Sequence, residues 1–224
     1  MAQPMSTRMR RILSPRGSTP VVTYSLIAAC VLIYALQWIT DQALTNAWFY
    51  FPPLTGSQPW RMITSIFLHS PTNPLHLVLN MYSLYVLGPT IETLLGRVRF
   101  LVLYLVSGFA GSVAVLLLAP EAAVLGASGA IFGLMGAYFL ITRHLGRGQG
   151  QIFIVIALNL AIGFFISGIA WQAHIGGLVG GLAVSAVYLA TRRPAQRPLQ
   201  ILGVVGIVIA LVLLTLVGVS LMSR

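Results

Sequence analysis

Apolar positions in this chain fall in long blocks separated by short polar and basic punctuation. Mostly apolar stretches occupy about 20–40, 75–93, 98–119, 128–143, 151–168, 171–191 and 199–222, some interrupted by glycine or polar residues. A membrane-crossing helix needs about 20 such residues, so the pattern predicts seven transmembrane helices and leaves little chain for a soluble domain. Residues 1–18, with Arg8, Arg10, Arg11 and Arg16 among Ser, Pro and Gly, read as a disordered basic tail. The segment 192–198, RRPAQRP, divides a six-helix core at 19–191 from one appended helix at 199–224. Between the first two spans lies a loop reaching to about 73, too long for a mere connector. Its Trp48, Phe49, Tyr50, Phe51 and Trp60 predict a segment lying at the membrane interface.

Composition agrees. The 224 residues would fit one or two soluble domains, but 58% are hydrophobic and 7% charged, with a mean hydropathy of +0.92. The net charge of +10 comes entirely from arginine in short clusters between apolar runs, which argues against nucleic acid as a partner and for a lipid bilayer. Cytoplasmic loops collect arginine. With the N-terminus inside, eleven of the 13 arginines are cytoplasmic and only Arg61 and Arg224 lie outside, which supports seven spans, a plasma (inner) membrane location and an external C-terminus. The single cysteine, Cys30, excludes an intrachain disulfide and reads as a small packing residue. Ile27-Ala28-Ala29-Cys30 after an arginine-rich start resembles a lipoprotein signal, but the apolar run continues through Leu36 past any cleavage point.

Polar residues within spans are costly, so those at a common depth stand out. Ser128 begins the fourth span, His174 lies less than two turns into the sixth, and His76 with Asn80 one turn deeper begins the second, all toward the external side. A serine, a histidine able to act as base and two further hydrogen-bonding side chains are the parts of acyl transfer. In GASGAIFGLMG, Gly126 and Gly129 allow a tight turn and close backbone approach. The helix start at Ser128 offers free N–H groups and a positive dipole end to an oxyanion. The plainer readings stay open: Ser128 as a helix cap, and His174 as a buried histidine held for packing. Gly129 with Gly133, and Gly177 with Gly181, form small-xxx-small pairs on the two spans carrying Ser128 and His174, which would let them approach closely. The only carboxylates, Asp41, Glu92 and Glu121, lie away from the depth of His174, favouring a Ser–His dyad over a triad. That scarcity also argues against an aspartyl protease. No HExxH helix is present, since Asn80 stands where a second histidine would, which argues against a zinc protease.

GASG, the later AHIGG and the earlier HLVLN together resemble the rhomboid protease family over about 20–191. The resemblance implies an all-α polytopic membrane protein, a rhomboid-like six-helix bundle here extended by a seventh C-terminal transmembrane helix. It implies that Ser128 is the nucleophile and His174 the base, and that His76, Asn80 and the Ser128 N–H stabilise the oxyanion. It further implies hydrolysis of transmembrane protein substrates near an exposed membrane end, without metal or cofactor. Trp60-Arg61, His69 and Glu92 with Gly96 match as supports of the loop and bundle, and Phe132 as an aromatic packed under His174. Leu94 departs from the arginine of some members, leaving the partner of Glu92 open. His144 has no assigned function, and Asn159 would hydrogen-bond a neighbouring helix or gate substrate. The competing classes are a non-catalytic rhomboid-like protein that binds transmembrane helices, expected to lack the serine or histidine, and a small transporter, expected to have paired halves.

Overall fold

A computed structural model describes residues 19–146, 148–165 and 168–223; the basic tail at 1–18, Arg147 and Arg224 lie outside the described residues. Seven long helices follow in order: α1 (Val21–Ile39), α4 (Pro74–Leu95), α5 (Arg97–Leu118), α6 (Ser128–His144), α7 (Gly150–Phe165), α8 (Trp171–Ala190) and α9 (Arg197–Met222). Two short ones, α2 (Ala43–Trp48) and α3 (Arg61–Thr64), stiffen the long first loop together with single 3-10 turns. The chain is a multi-pass, all-α membrane protein. Four helices, α1, α5, α8 and the 29 residues ending in α9, are by themselves long and apolar enough to cross a bilayer. The other three predicted spans are polar or short for physical reasons. Helix α4 carries His76, Asn80 and Glu92, while α6 and α7 have only 17 and 16 residues.

Helices α5, α6 and α8 make the densest packing, and glycine is the reason. A Cβ built on Gly177 or Gly181 of α8 would overlap backbone atoms of Gly129 or Gly133 on α6, so the two backbones touch with no side chain between them. On the other face of α8, a Cβ on Gly176 would meet Ala114 and the Ala110 carbonyl of α5. Around this slab, Phe100, Leu103, Tyr104 and Leu134 fill the centre and are fully buried.

Helix α1 is fastened by charge. The buried Glu92 carboxylate on α4 accepts the backbone N–H of Val22 at 3.1 Å and of Thr23 at 2.8 Å, and the Thr23 hydroxyl at 2.7 Å. These donors belong to the first turn of α1, where N–H groups lack partners in the helix and the dipole end is positive. The partner of Glu92 is therefore α1 and not an arginine. Close contact at Gly88, where a Cβ would sit 2.5 Å from the Thr23 side chain, seats the latch. Gly96, at φ +83°, then joins α4 directly to α5, a turn that any residue with a Cβ would strain.

The segment 192–198 is a connection of one 3-10 turn, Pro194–Gln196, leading straight into α9. Helix α9 packs on α8 at Gly203, against Val187, and on α5 at Gly218, against Leu116. His144 at the end of α6 meets Arg192 after α8, and Arg99 donates to Gln200 at 2.7 Å, so the arginine clusters share one end of the bundle.

Truncating the latch should be expensive. Glu92→Ala is expected to lower stability by roughly 2–4 kcal/mol, because the charged hydrogen bonds are lost and the α1 donors stay buried. Exposed Thr93→Ala on the next residue should stay within about 0.5 kcal/mol. Thermal or denaturant unfolding of the detergent-solubilised protein checks both.

Candidate active site

The end of the bundle opposite the arginines holds a cavity of about 670 Å³. Ser128, His174, His76 and Gly126 line it, together with Leu79 of α4 and Ile162 of α7. Ser128 is the first residue of α6. Ala127 occupies the cap position without a side-chain bond, so the serine hydroxyl does not cap the helix. Instead Ser128 Oγ lies 2.9 Å from His174 Nε2. The glycine contact described above produces this distance, since it sets the first turns of α6 and α8 side by side.

His174 is 7% exposed and stacks on Phe132, with ring centroids 4.3 Å apart and 15° between planes. Stacking from one side and the bond to Ser128 at the edge leave the imidazole little rotational freedom. Among the described residues its Nδ1 has no hydrogen-bond partner and faces Gly163 of α7, so no carboxylate orients this histidine. For Nε2 to accept the serine proton the ring must carry its hydrogen on Nδ1.

His76 is positioned by the loop. The Ser70 N–H donates to its Nδ1 at 3.3 Å, which assigns the proton to Nε2. That edge reaches toward Gly126, where a Cβ would stand 2.8 Å from Nε2. Gly126 adopts φ +129° and donates its N–H to Ser65 O at 2.9 Å, so glycine is required there both by the backbone angle and by the imidazole. Asn80 is placed differently from its expected partners. It is 6% exposed, does not line the cavity, and its Nδ2 donates to the His76 carbonyl at 2.8 Å, the nearest acceptor one turn back in its own helix.

The long loop is held by buried polar groups of which only some stood out in the sequence. Arg61 is 7% exposed and donates to Asn46 O at 2.8 Å, Phe49 O at 3.0 Å and Gln58 Oε1 at 2.5 Å. Gln37 of α1 pairs with the backbone of His69 in both directions, at 2.9 Å and 3.1 Å. His69 itself is wholly buried beside His76, ring centroids 5.3 Å apart, and burial first, then electrostatic competition with the neighbouring His76 for a proton, pushes it down to about 3, so it stays neutral. Tyr50 was expected at the interface. It is fully buried, pairing its backbone with Val124 just before the Ser128 turn and its hydroxyl with Thr55. Trp60, by contrast, is exposed and meets the surroundings. Asn159 is exposed and donates to Val155 O of its own helix, with no hydrogen bond to a neighbouring helix among the described residues.

A membrane-embedded helical bundle with a Ser–His pair in a cavity near one end defines the class. The family model of the rhomboid domain matches residues 56–191, more than half of the chain, and the protein belongs to the rhomboid family. The chain is 34% identical over 185 residues to "Rhomboid protease GluP" of Bacillus subtilis (strain 168), a match covering 76% of this chain and 35% of that protein. It is 35% identical over 144 residues to "Putative rhomboid protease YdcA" of the same organism, covering 62% of this chain and 70% of the relative. "RHOMBOID-like protein 6, mitochondrial" of Arabidopsis thaliana is 35% identical over 144 residues, covering 60% of this chain and 45% of the relative. The chain thus spans less than half the length of two of these three relatives. Helix α9 follows the end of the family match.

The glycine seam predicts a sharp asymmetry. Gly177→Ala forces a methyl into the Gly129 carbonyl and should destabilise by roughly 2–3 kcal/mol or more. Gly206→Ala on α9, where a Cβ meets nothing within 4 Å, should be neutral or stabilise by up to about 1 kcal/mol. Paired melting curves in detergent test the contrast.

Proposed function

We propose that the chain is an intramembrane serine endopeptidase that hydrolyses peptide bonds in or next to transmembrane segments of membrane proteins through a Ser128–His174 dyad. The observation that carries this reading is the 2.9 Å contact between Ser128 Oγ and His174 Nε2 inside a cavity large enough for an extended peptide segment. It is supported by family membership and by two relatives named as rhomboid proteases.

In the proposed reaction His174 Nε2 takes the Ser128 proton as Oγ attacks the scissile carbonyl carbon. The oxyanion meets the Ser128 backbone N–H at the positive end of α6 and the Nε2–H of His76, whose tautomer the Ser70 N–H selects. Asn80 contributes through its second amide hydrogen, or by leaving the His76 carbonyl. The imidazolium then gives its proton to the departing amine, and water, activated by the same nitrogen, hydrolyses the acyl-enzyme. Phe132 holds the base in plane in place of the carboxylate that a triad would use. The cavity lies opposite the arginine-rich end, so with arginines cytoplasmic in a plasma membrane the cut falls at the outer face. Substrate transmembrane helices and the lipid bilayer are the proposed partners.

Cleavage of a single-span reporter by purified protein tests this reading. Ser128→Ala and His174→Ala should each lose at least about 10⁴-fold in kcat, while wild-type cleavage stays indifferent to EDTA. His76→Ala should cost about 10²–10³-fold, and Asn80→Ala less, because its amide is already engaged by α4. Unchanged cleavage by Ser128→Ala would refute the assignment. Loss in Asn80→Ala exceeding that in His76→Ala would refute the assigned oxyanion donors.

A further inference from the structure

The arginine-rich end contains a second cavity that the proposed chemistry does not use. A crevice of about 800 Å³ opens between the α4–α5 junction, α8 and the start of α9. Its rim carries Arg97, Arg99 and Arg197. Arg97 and Arg197 are each the first residue of a helix, so the positive dipole ends of α5 and α9 converge with the guanidinium groups, although the Arg197 N–H is already bonded to the Pro194 carbonyl.

The arginines are held differently. Arg99 is half-buried. Its Nε donates to Gln200 Oε1 at 2.7 Å, its guanidinium lies 5.9 Å from the Tyr188 ring centroid, and the Tyr188 hydroxyl donates to its carbonyl. Gln200, 5% exposed, is fixed in turn by donating to Thr191. Arg99 is thus preorganised, with its terminal nitrogens left over. Arg97 and Arg197 are exposed, and their side chains make no hydrogen bond or ion pair among the described residues. Glu92 also borders the crevice with both oxygens held by Val22 and Thr23, and this one carboxyl group is outnumbered by the three arginines of the rim. Above the rim the wall turns apolar, with Val98, Val102, Ile201, Val204 and Val205 exposed or half-exposed along α5 and α9.

We propose that this crevice binds an anionic phospholipid of the leaflet at the arginine-rich end, its phosphate on Arg97, Arg99 and Arg197 and one acyl chain along the valine wall. A bidentate guanidinium matches a phosphate oxygen pair, and a basic recess between transmembrane helices at headgroup level suits an anionic lipid. The apolar wall, continuous with the lipid-facing surface of α9, selects a lipid over a free anion. Helix α9 supplies Arg197, Gln200 and the wall residues Ile201, Val204 and Val205, so the seventh helix completes a lipid site remote from Ser128. The inference is independent of the peptidase reading.

The test uses the full chain, delipidated in detergent and titrated with phosphatidylglycerol, phosphatidylcholine or inorganic phosphate under native mass spectrometry. Phosphatidylglycerol should bind in preference to phosphatidylcholine, with inorganic phosphate far weaker than either lipid. Arg97→Gln with Arg197→Gln should weaken phosphatidylglycerol about 25-fold, at about fivefold for each arginine. The matched pair Arg192→Gln with Arg193→Gln, outside the crevice, should change it less than about twofold. If the double variant fails to fold, each single substitution is read at about fivefold. Equal affinity for the two lipids, inorganic phosphate binding as tightly as lipid, or equal losses in the two variant pairs would each overturn the proposal.

Discussion

The backbone of α8 rests on the backbone of α6 at Gly177 and Gly181, and the other features of the bundle depend on that contact. Within a bilayer, lipid tails are as apolar as the helices, so burial of apolar surface does not drive two spans together. Van der Waals contact over a smooth seam does. Because the seam starts near the first turns of both helices, it also fixes the separation of Ser128 from His174. Helix α5 reaches the same turn of α8 through Gly111, where a Cβ would lie 2.9 Å from the Ala173 carbonyl that Gly129 of α6 also approaches, and so the histidine-bearing turn is held against two neighbours. Packing thereby does the orienting that a buried carboxylate does in a triad.

The few polar side chains divide between chemistry and construction. Glu92 spends its charge on the start of α1, Arg61 and Gln37 tie the long loop to itself and to α1, and the Tyr50–Val124 bridge carries that order to the turn before Ser128. This scaffold sets the Ser70 N–H against His76 and so selects which imidazole nitrogen faces the cavity. At the far end, Arg99 and Gln200 join α5 to α9 in the same manner. The cavity end thus carries Arg61 as its one arginine among the described residues, tied up in the loop, while the other end gathers Arg97, Arg99, Arg192 and Arg197.

Much of this was legible in the sequence because membrane spans permit few polar residues. Ser128, His174 and His76 stand out against apolar surroundings, and all seven long helices begin and end within three residues of the hydropathy blocks. The pairings were less legible. Glu92 meets Thr23 across 69 positions and Arg99 meets Gln200 across 101, and no spacing rule links residues so far apart. Tyr50 looked interfacial because composition places aromatic residues in a loop without telling which of them turns inward. Asn80 shares a face with His76 by helical spacing, yet its amide found the nearer backbone carbonyl, a choice between local acceptors that periodicity does not encode. The crevice at Arg97 and Arg197 required the three-dimensional convergence of two helix starts a hundred positions apart.

The most direct test of the central claim, that glycine packing turns Ser128 into a nucleophile by setting it against His174, is the site of covalent modification by a fluorophosphonate. Intact-protein and peptide mass spectrometry of the detergent-solubilised chain should find one adduct, on Ser128, formed in the wild type and abolished in His174→Ala. An adduct elsewhere, none at all, or equal labelling of Ser128 without His174 would contradict the account.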